Sequence, residues 1–219
     1  MTRPSSASAA AELLLAEEVV YTRTGGDPFF FSSGWASPVF IDIKRLISRP
    51  EARAKLLDLA LQEIEENVGT SAFDQIAGCE LAGVPFASMV ADRMSVPLVV
   101  ALKQAKGFGR FAQCEGDFEP GARTLLIDDV TTDGRTKTTF KRALERAEAN
   151  VIGIFVLFAY NIFPGHAQTV ALTTLGDVIT AAENNNTLDE SALSALKTYA
   201  GDAAGWSRQN GGIGLDDRR

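Results

Sequence analysis

Two adjacent carboxylates, Asp128 and Asp129, stand at the end of an apolar run and directly before a turn rich in threonine and glycine. The stretch 124–137 reads TLLIDDVTTDGRTK. A buried strand would deliver both carboxylates to its carboxyl end, the edge at which open α/β sheets hold ligands. The helix expected after the turn offers free N–H groups and the positive end of its dipole to an anion. Thr131, Thr132 and Thr136 add hydroxyl donors, and Gly134 lets the backbone come close to a phosphate. Carboxylates beside a phosphate cradle are consistent once a sugar lies between them, because a charged acceptor takes strong hydrogen bonds from a ribose diol. Two plainer readings stay open for the stretch alone: a metal-binding acidic pair, and helix capping by Asp133.

A second group is basic. Lys103, Lys106 and Arg110 fall within eight residues with no acid between them, in a chain of net charge −7. A loop closing over a polyanionic leaving group would neutralise it and exclude water; a solvated basic loop is the plain alternative. A third group is the turn 78–85, GCELAGVP, where Gly78 and Gly83 allow close backbone approach and Glu80 is the one charge.

The elements that must position these groups follow from periodicity and breakers. Strands are expected at 73–77, 97–102, 124–127, 151–158 and 168–172, and helices at 83–94 and 134–149. That alternation predicts a parallel sheet flanked by helices, an α/β fold. Residues 103–121 form a polar, glycine-rich loop, long enough that a function is expected of it. Upstream, a helix over 9–21 and a hairpin joining 29–31 to 39–43 precede a helix at 51–67 opened by Pro50. Helices at 175–182 and 188–199 follow, and the tail from Gly201 reads as loose. The division expected is a hood over 1–68, an α/β core over 69–183, and a C-terminal helix and tail over 184–219.

Composition narrows the field. Hydrophobic residues make up 46% and charged residues 22% of the 219 positions, ordinary for a globular chain. The negative charge disfavours general nucleic-acid binding. The longest apolar stretch, 151–163, is shorter than the roughly 20 residues of a membrane span, and the start has no signal-peptide core, so no membrane role is expected. Two separated cysteines, Cys79 and Cys114, suit a reducing cytoplasm and make no disulfide framework. His166, the single histidine, reads as a solvent-facing loop residue, and no protein metal site is expected.

The DDVTTDG segment resembles the phosphoribosyl pyrophosphate (PRPP) signature of type I phosphoribosyltransferases. SSGWASPVFID at 32–42 is similar to the hood motif of the orotate branch, GCELAGVP to the family's pyrophosphate loop, and KQAKGFGR at 103–110 to its catalytic loop. The resemblance implies transfer of ribose 5-phosphate from PRPP to orotate, with Mg²⁺ as cofactor, in a homodimer with shared sites. It assigns catalysis to Lys103, Lys106, Asp128 and Asp129. PRPP would be held by Asp128, Asp129, Thr131, Thr132, Asp133, Gly134, Arg135, Thr136 and Arg110, and its pyrophosphate by Glu80, Leu81, Ala82 and Gly83. The base would lie against Ser33, Gly34, Phe40, Ile41 and Thr132. The chain departs from the usual family pattern at Ser32, Leu102 and Phe108. Transfer to another nucleobase, and PRPP sensing without catalysis, are the alternatives.

Overall fold

The computed structural model describes residues 5–163 and 169–217. The order begins α1 (Ser6–Ala16), β1 (Val20–Thr22), β2 (Phe29–Phe30), β3 (Ala36–Ser37), β4 (Val39–Ile41), a 3₁₀ turn at Ile43–Ser48 and α2 (Pro50–Asn67). It continues with β5 (Gln75–Cys79), α3 (Gly83–Met94), β6 (Leu98–Ala101), β7 (Cys114–Glu115), β8 (Arg123–Thr131), α4 (Arg135–Arg146), β9 (Asn150–Ala159) and β10 (Thr169–Thr174). Helices α5 (Leu175–Asn185), α6 (Glu190–Gly201) and α7 (Ala203–Gln209) close the chain, with a 3₁₀ turn at Leu215–Asp217.

Six strands form the central sheet in the order β10-β9-β8-β5-β6-β7, all parallel except β7. Strand periodicity sends alternate residues to opposite layers. Leu125, Ile127, Phe155 and Leu157 join one apolar cluster, whereas Leu126, Ile154 and Val156 join the other. The first layer is covered by α1, α2, α3 and α5, and the second by α4 through Phe140 and Leu144. The residues of α1 and α2 thus share a core with the sheet. The two small antiparallel pairs, β1 with β4 and β2 with β3, make up the hood.

Chain order reverses between β5 and β8: from β5 the chain crosses to β6 on one side, then returns to β8 on the other. Such a switch point opens a crevice at the carboxyl edge. The first turns of α3 and α4, which follow β5 and β8, both face it.

Several expectations differ from the structure. The first helix stops at Ala16, because Glu18 takes φ 52° and the following Val20–Thr22, with its β-branched residues, pairs with β4 instead. The expected hairpin is split: β2 pairs with Ala36–Ser37, leaving Val39–Ile41 to β1. The tail is ordered by packing. Asp202 caps α7, and Ser207 Oγ accepts from Ala36 N at 2.9 Å and donates to Ile213 O at 2.8 Å. Ile213 N–H then reaches Gly34 O at 3.0 Å. The loop 103–121 holds β7 and an edge-on contact of Phe111 with Phe118 at 5.1 Å. His166 lies outside the described residues.

Candidate active site

β8 carries the acidic pair because its interior is apolar on both faces: Leu125, Leu126 and Ile127 are fully buried. The strand breaks at Thr132, and Gly134 takes φ 76°, a left-handed conformation that glycine adopts without steric cost, to open α4. Gly83 opens α3 against this strand end. A Cβ there would meet Asp128 Oδ1 at 2.6 Å and Ile127 O at 2.8 Å, so only glycine lets the two loops touch.

One cavity of about 740 Å³ occupies the crevice. From the β8–α4 turn it is lined by Asp128, Asp129, Thr131, Thr132, Asp133, Gly134 and Thr136, and from the facing loops by Glu80, Leu81, Ala82 and Lys103. The hood supplies Ser33, Phe40 and Ile41. Ser33 Oγ is buried there with no hydrogen-bond partner among the described residues. Phe40 is tilted against Phe29 at 5.7 Å, with Lys44 Nζ 5.4 Å above its ring. Tyr160 anchors this wall to the core: its hydroxyl accepts from Ile41 N at 3.3 Å and donates to Val39 O at 3.2 Å.

Other residues stand apart from the lining. Gly34 donates its N–H to Phe31 O at 2.9 Å, so that group is spent in the hood turn and not offered to a base. Arg110 faces away: Nε binds Ala147 O at 2.8 Å, an amino group binds Phe118 O at 2.7 Å, and Glu148 lies 3.1 Å off. Arg135 pairs with Asp133 at 3.4 Å. Lys106 Nζ is 3.4 Å from Glu80 Oε1 at the cavity's edge.

The site's electrostatics centre on a residue to which sequence reasoning gave no role. Lys137 is 5% exposed; its Nζ binds Asp128 Oδ2 and donates to Val130 O at 2.8 Å. A cation in the first turn of a helix opposes the dipole, and that misfit was the available signal. Lys44 and Tyr160 also line the cavity, without a clear motif of their own. Burial, and next the charge of Asp128, push Asp129 up to about 6. Glu80 is held below the usual carboxylate range, first by the N–H of Lys103 and then by Lys106. Burial raises the Cys79 thiol well above its ordinary value.

A sheet-edge crevice with two carboxylates above a helix N-terminus has the groups to hold a sugar phosphate. Residues 45–175 match the phosphoribosyl transferase domain family. The orotate phosphoribosyltransferase of a Jannaschia species is 37% identical over 213 residues, covering 94% of this chain and 93% of that protein. Among solved structures, orotate phosphoribosyltransferase from Aeropyrum pernix aligns at 27% identity with a TM-score of 0.65, over 82% of this chain and 99% of that one. UMP synthase from Leishmania donovani aligns at 25% identity and TM-score 0.71 over 89% of this chain, which spans 42% of that longer protein. The chain belongs to the phosphoribosyltransferases, in the orotate phosphoribosyltransferase family.

Proposed function

We propose that this enzyme transfers ribose 5-phosphate from PRPP to orotate, releasing pyrophosphate and forming orotidine 5′-monophosphate. The carrying observation is that the acidic pair, the turn before α4, Lys103 and the hood wall line one cavity. The C1′–O bond to pyrophosphate breaks with its electron pair leaving on oxygen, and a C1′–N bond forms to the base. In this reading the N–H groups and hydroxyls of the turn at 131–136 hold the 5′-phosphate. Asp128 and Asp129 accept from the ribose hydroxyls and favour positive charge developing on the ring. Lys103 and Lys106 meet the departing pyrophosphate beside the first turn of α3. Phe40 and Ile41 give the flat base an apolar wall, and the Ser33 hydroxyl, unpaired among the described residues, offers it a polar partner.

Mg²⁺ fits this donor set as a cofactor held mainly by substrate. Among the described residues no three His, Cys, Asp or Glu side chains converge to cage an ion. Mg²⁺ suits one or two carboxylates plus phosphate oxygens and water, a role open to Asp129. When bound, it would neutralise charge on pyrophosphate.

A homodimer with shared sites belongs to the same proposal. Phe108, at the loop's tip, is 102% exposed, an apolar group that a neighbouring subunit would cover. A cytoplasmic setting is supported by two free, buried cysteines. No helix among the described residues is long and apolar enough to cross a membrane.

Calorimetry with PRPP and Mg²⁺, followed by pyrophosphate release with orotate, uracil and a purine compared, tests the reading. PRPP binding with orotate-dependent release is expected. Absence of PRPP binding overturns it, release with another base redirects it, and binding with no turnover favours a sensor. For assembly, Lys106→Ala and Asp129→Asn chains are mixed with confirmed subunit exchange. Shared sites recover roughly a quarter of wild-type activity, because half the dimers carry one intact site; sites served by their own loops recover none.

A further inference from the structure

Asp133 is a carboxylate set inside a turn that would hold a dianionic phosphate, where its charge works against binding. The structure shows what occupies it. Its side chain is 4% exposed, and Oδ2 accepts from the indole Nε1 of Trp35 at 3.0 Å. The two residues are 98 positions apart and belong to different parts of the molecule, the hood turn and the β8–α4 turn. Arg135, half in solvent, lies 3.4 Å from the same oxygen and offsets the charge.

Trp35 is fully buried and held on several sides. Its ring packs on Phe163 at 4.6 Å, and its carbonyl accepts from Phe31 N at 2.9 Å. It follows Gly34 and lies two residues beyond Ser33 of the cavity wall. A shift of the phosphate turn can therefore be passed to the base wall by way of this buried hydrogen bond.

We infer that Trp35 and Asp133 form a positioning pair that sets the base-binding wall of the hood relative to the phosphate-binding turn. This inference rests on the function proposed above. Neither side chain needs to touch substrate. The hydrogen bond adds to the Tyr160 anchor in setting the distance between the two halves of the cavity, so the base meets the anomeric carbon in register; misplacement of about an ångström is costly to transfer. A charged acceptor makes it stronger than a neutral pair would.

The experiment measures kcat/KM for orotate and, separately, the Kd of PRPP with Mg²⁺ and no base, in Trp35→Phe, Asp133→Ala, Asp133→Asn and the Trp35→Phe/Asp133→Ala double variant. Trp35→Phe keeps a packed ring and removes the donor. It and Asp133→Ala should each lower kcat/KM for orotate about tenfold, with PRPP bound no more weakly than by wild type, and the double variant should be no worse than either single. Asp133→Asn retains an acceptor and should lose less than Asp133→Ala, by about threefold or more in kcat/KM. The inference is overturned if the single losses multiply in the double variant, if PRPP binding weakens as much as orotate use, or if Asn and Ala at 133 behave alike. Should Trp35→Phe fail to fold, the Asn-against-Ala comparison decides alone. A wild-type chain that binds no PRPP counts against the proposed function. The same double-mutant cycle read on unfolding midpoints then judges the pair, non-additive if the bond is made and additive if it is not.

Discussion

The two basic-and-acidic regions around the cavity are built in opposite ways. In the β8–α4 turn, Asp128, Asp129, Asp133 and Lys137 are all at most 9% exposed, and each lies against a charged or hydrogen-bonding neighbour within the core. In the 103–110 loop, Lys106 has 60% of its side chain in solvent and Phe108 is fully exposed. The first region is held by its own buried contacts; the second carries its charge on exposed side chains. A ribose whose ring develops positive charge needs carboxylates already in place. A leaving group that must enter and depart is better met by cations on a surface loop.

The contrast breaks most visibly at Lys137. Lys137→Met leaves Asp128 as a buried charge without its cation, and loss of one member of such a pair costs about 3–5 kcal/mol. Urea unfolding should register that loss, with activity falling alongside. Wild-type stability in this variant would mean that the turn is not held by the pair. Asp129→Asn should separate the two properties. Activity is expected to drop about 10- to 100-fold in kcat/KM with loss of a charged acceptor. Stability moves the other way. The native carboxyl titrates near 6, above its ordinary 3.8, so its contribution is present below about pH 4 and is lost as pH rises through 6. Above pH 6 the ligand-free Asn variant should thus be more stable, on the order of 2 kcal/mol, and wild-type PRPP affinity should fall as pH drops below 6. Denaturation at pH 5 and pH 8 checks the sign.

On the other side of the cavity, Lys106→Ala should cost roughly tenfold in kcat/KM through lost leaving-group stabilisation. Its unfolding midpoint should not move, because an exposed pair such as Lys106 with Glu80 contributes little to folding. A fall in midpoint equal to that of Lys137→Met would erase the distinction between the regions.

Legibility in the sequence followed the same division. The β8–α4 turn was readable because strand, acidic pair, turn and helix are consecutive, so chain connectivity itself places Asp128 beside Gly134. The sheet was readable from its alternation with helices. The hood was not: Val20–Thr22 looks helical beside Leu13 and Leu14, and only its pairing with Val39–Ile41 makes it a strand. The tail read as loose because its contacts, Ser207 with Ala36 and Ile213 with Gly34, link residues more than 170 positions apart. Lys137 lies within the motif, yet nothing in its spacing says that its ammonium turns back to the strand end. The Trp35–Asp133 bond is likewise invisible until the hood is folded over the turn.

Arg110 gives the smallest expected effect and the finest test of the comparison. Family resemblance enlists it with Lys103 and Lys106 as a partner of PRPP, and its charge fits that role. Its guanidinium, however, is used to fasten the loop's base. It binds the carbonyls of Ala147 and Phe118, pairs with Glu148, and stacks over Phe111 and Phe118 at 4.7 and 5.1 Å. Two hydrogen bonds to carbonyls that close α4 and precede β8 tie an exposed loop to a rigid edge. Arg110→Ala should therefore lower stability by roughly 1 kcal/mol while kcat/KM stays within about threefold of wild type, the reverse of Lys106→Ala. A loss in kcat/KM matching that of Lys106→Ala, with stability unchanged, would show that Arg110 leaves these carbonyls when substrate binds, and the anchored part of the loop would then begin beyond residue 110.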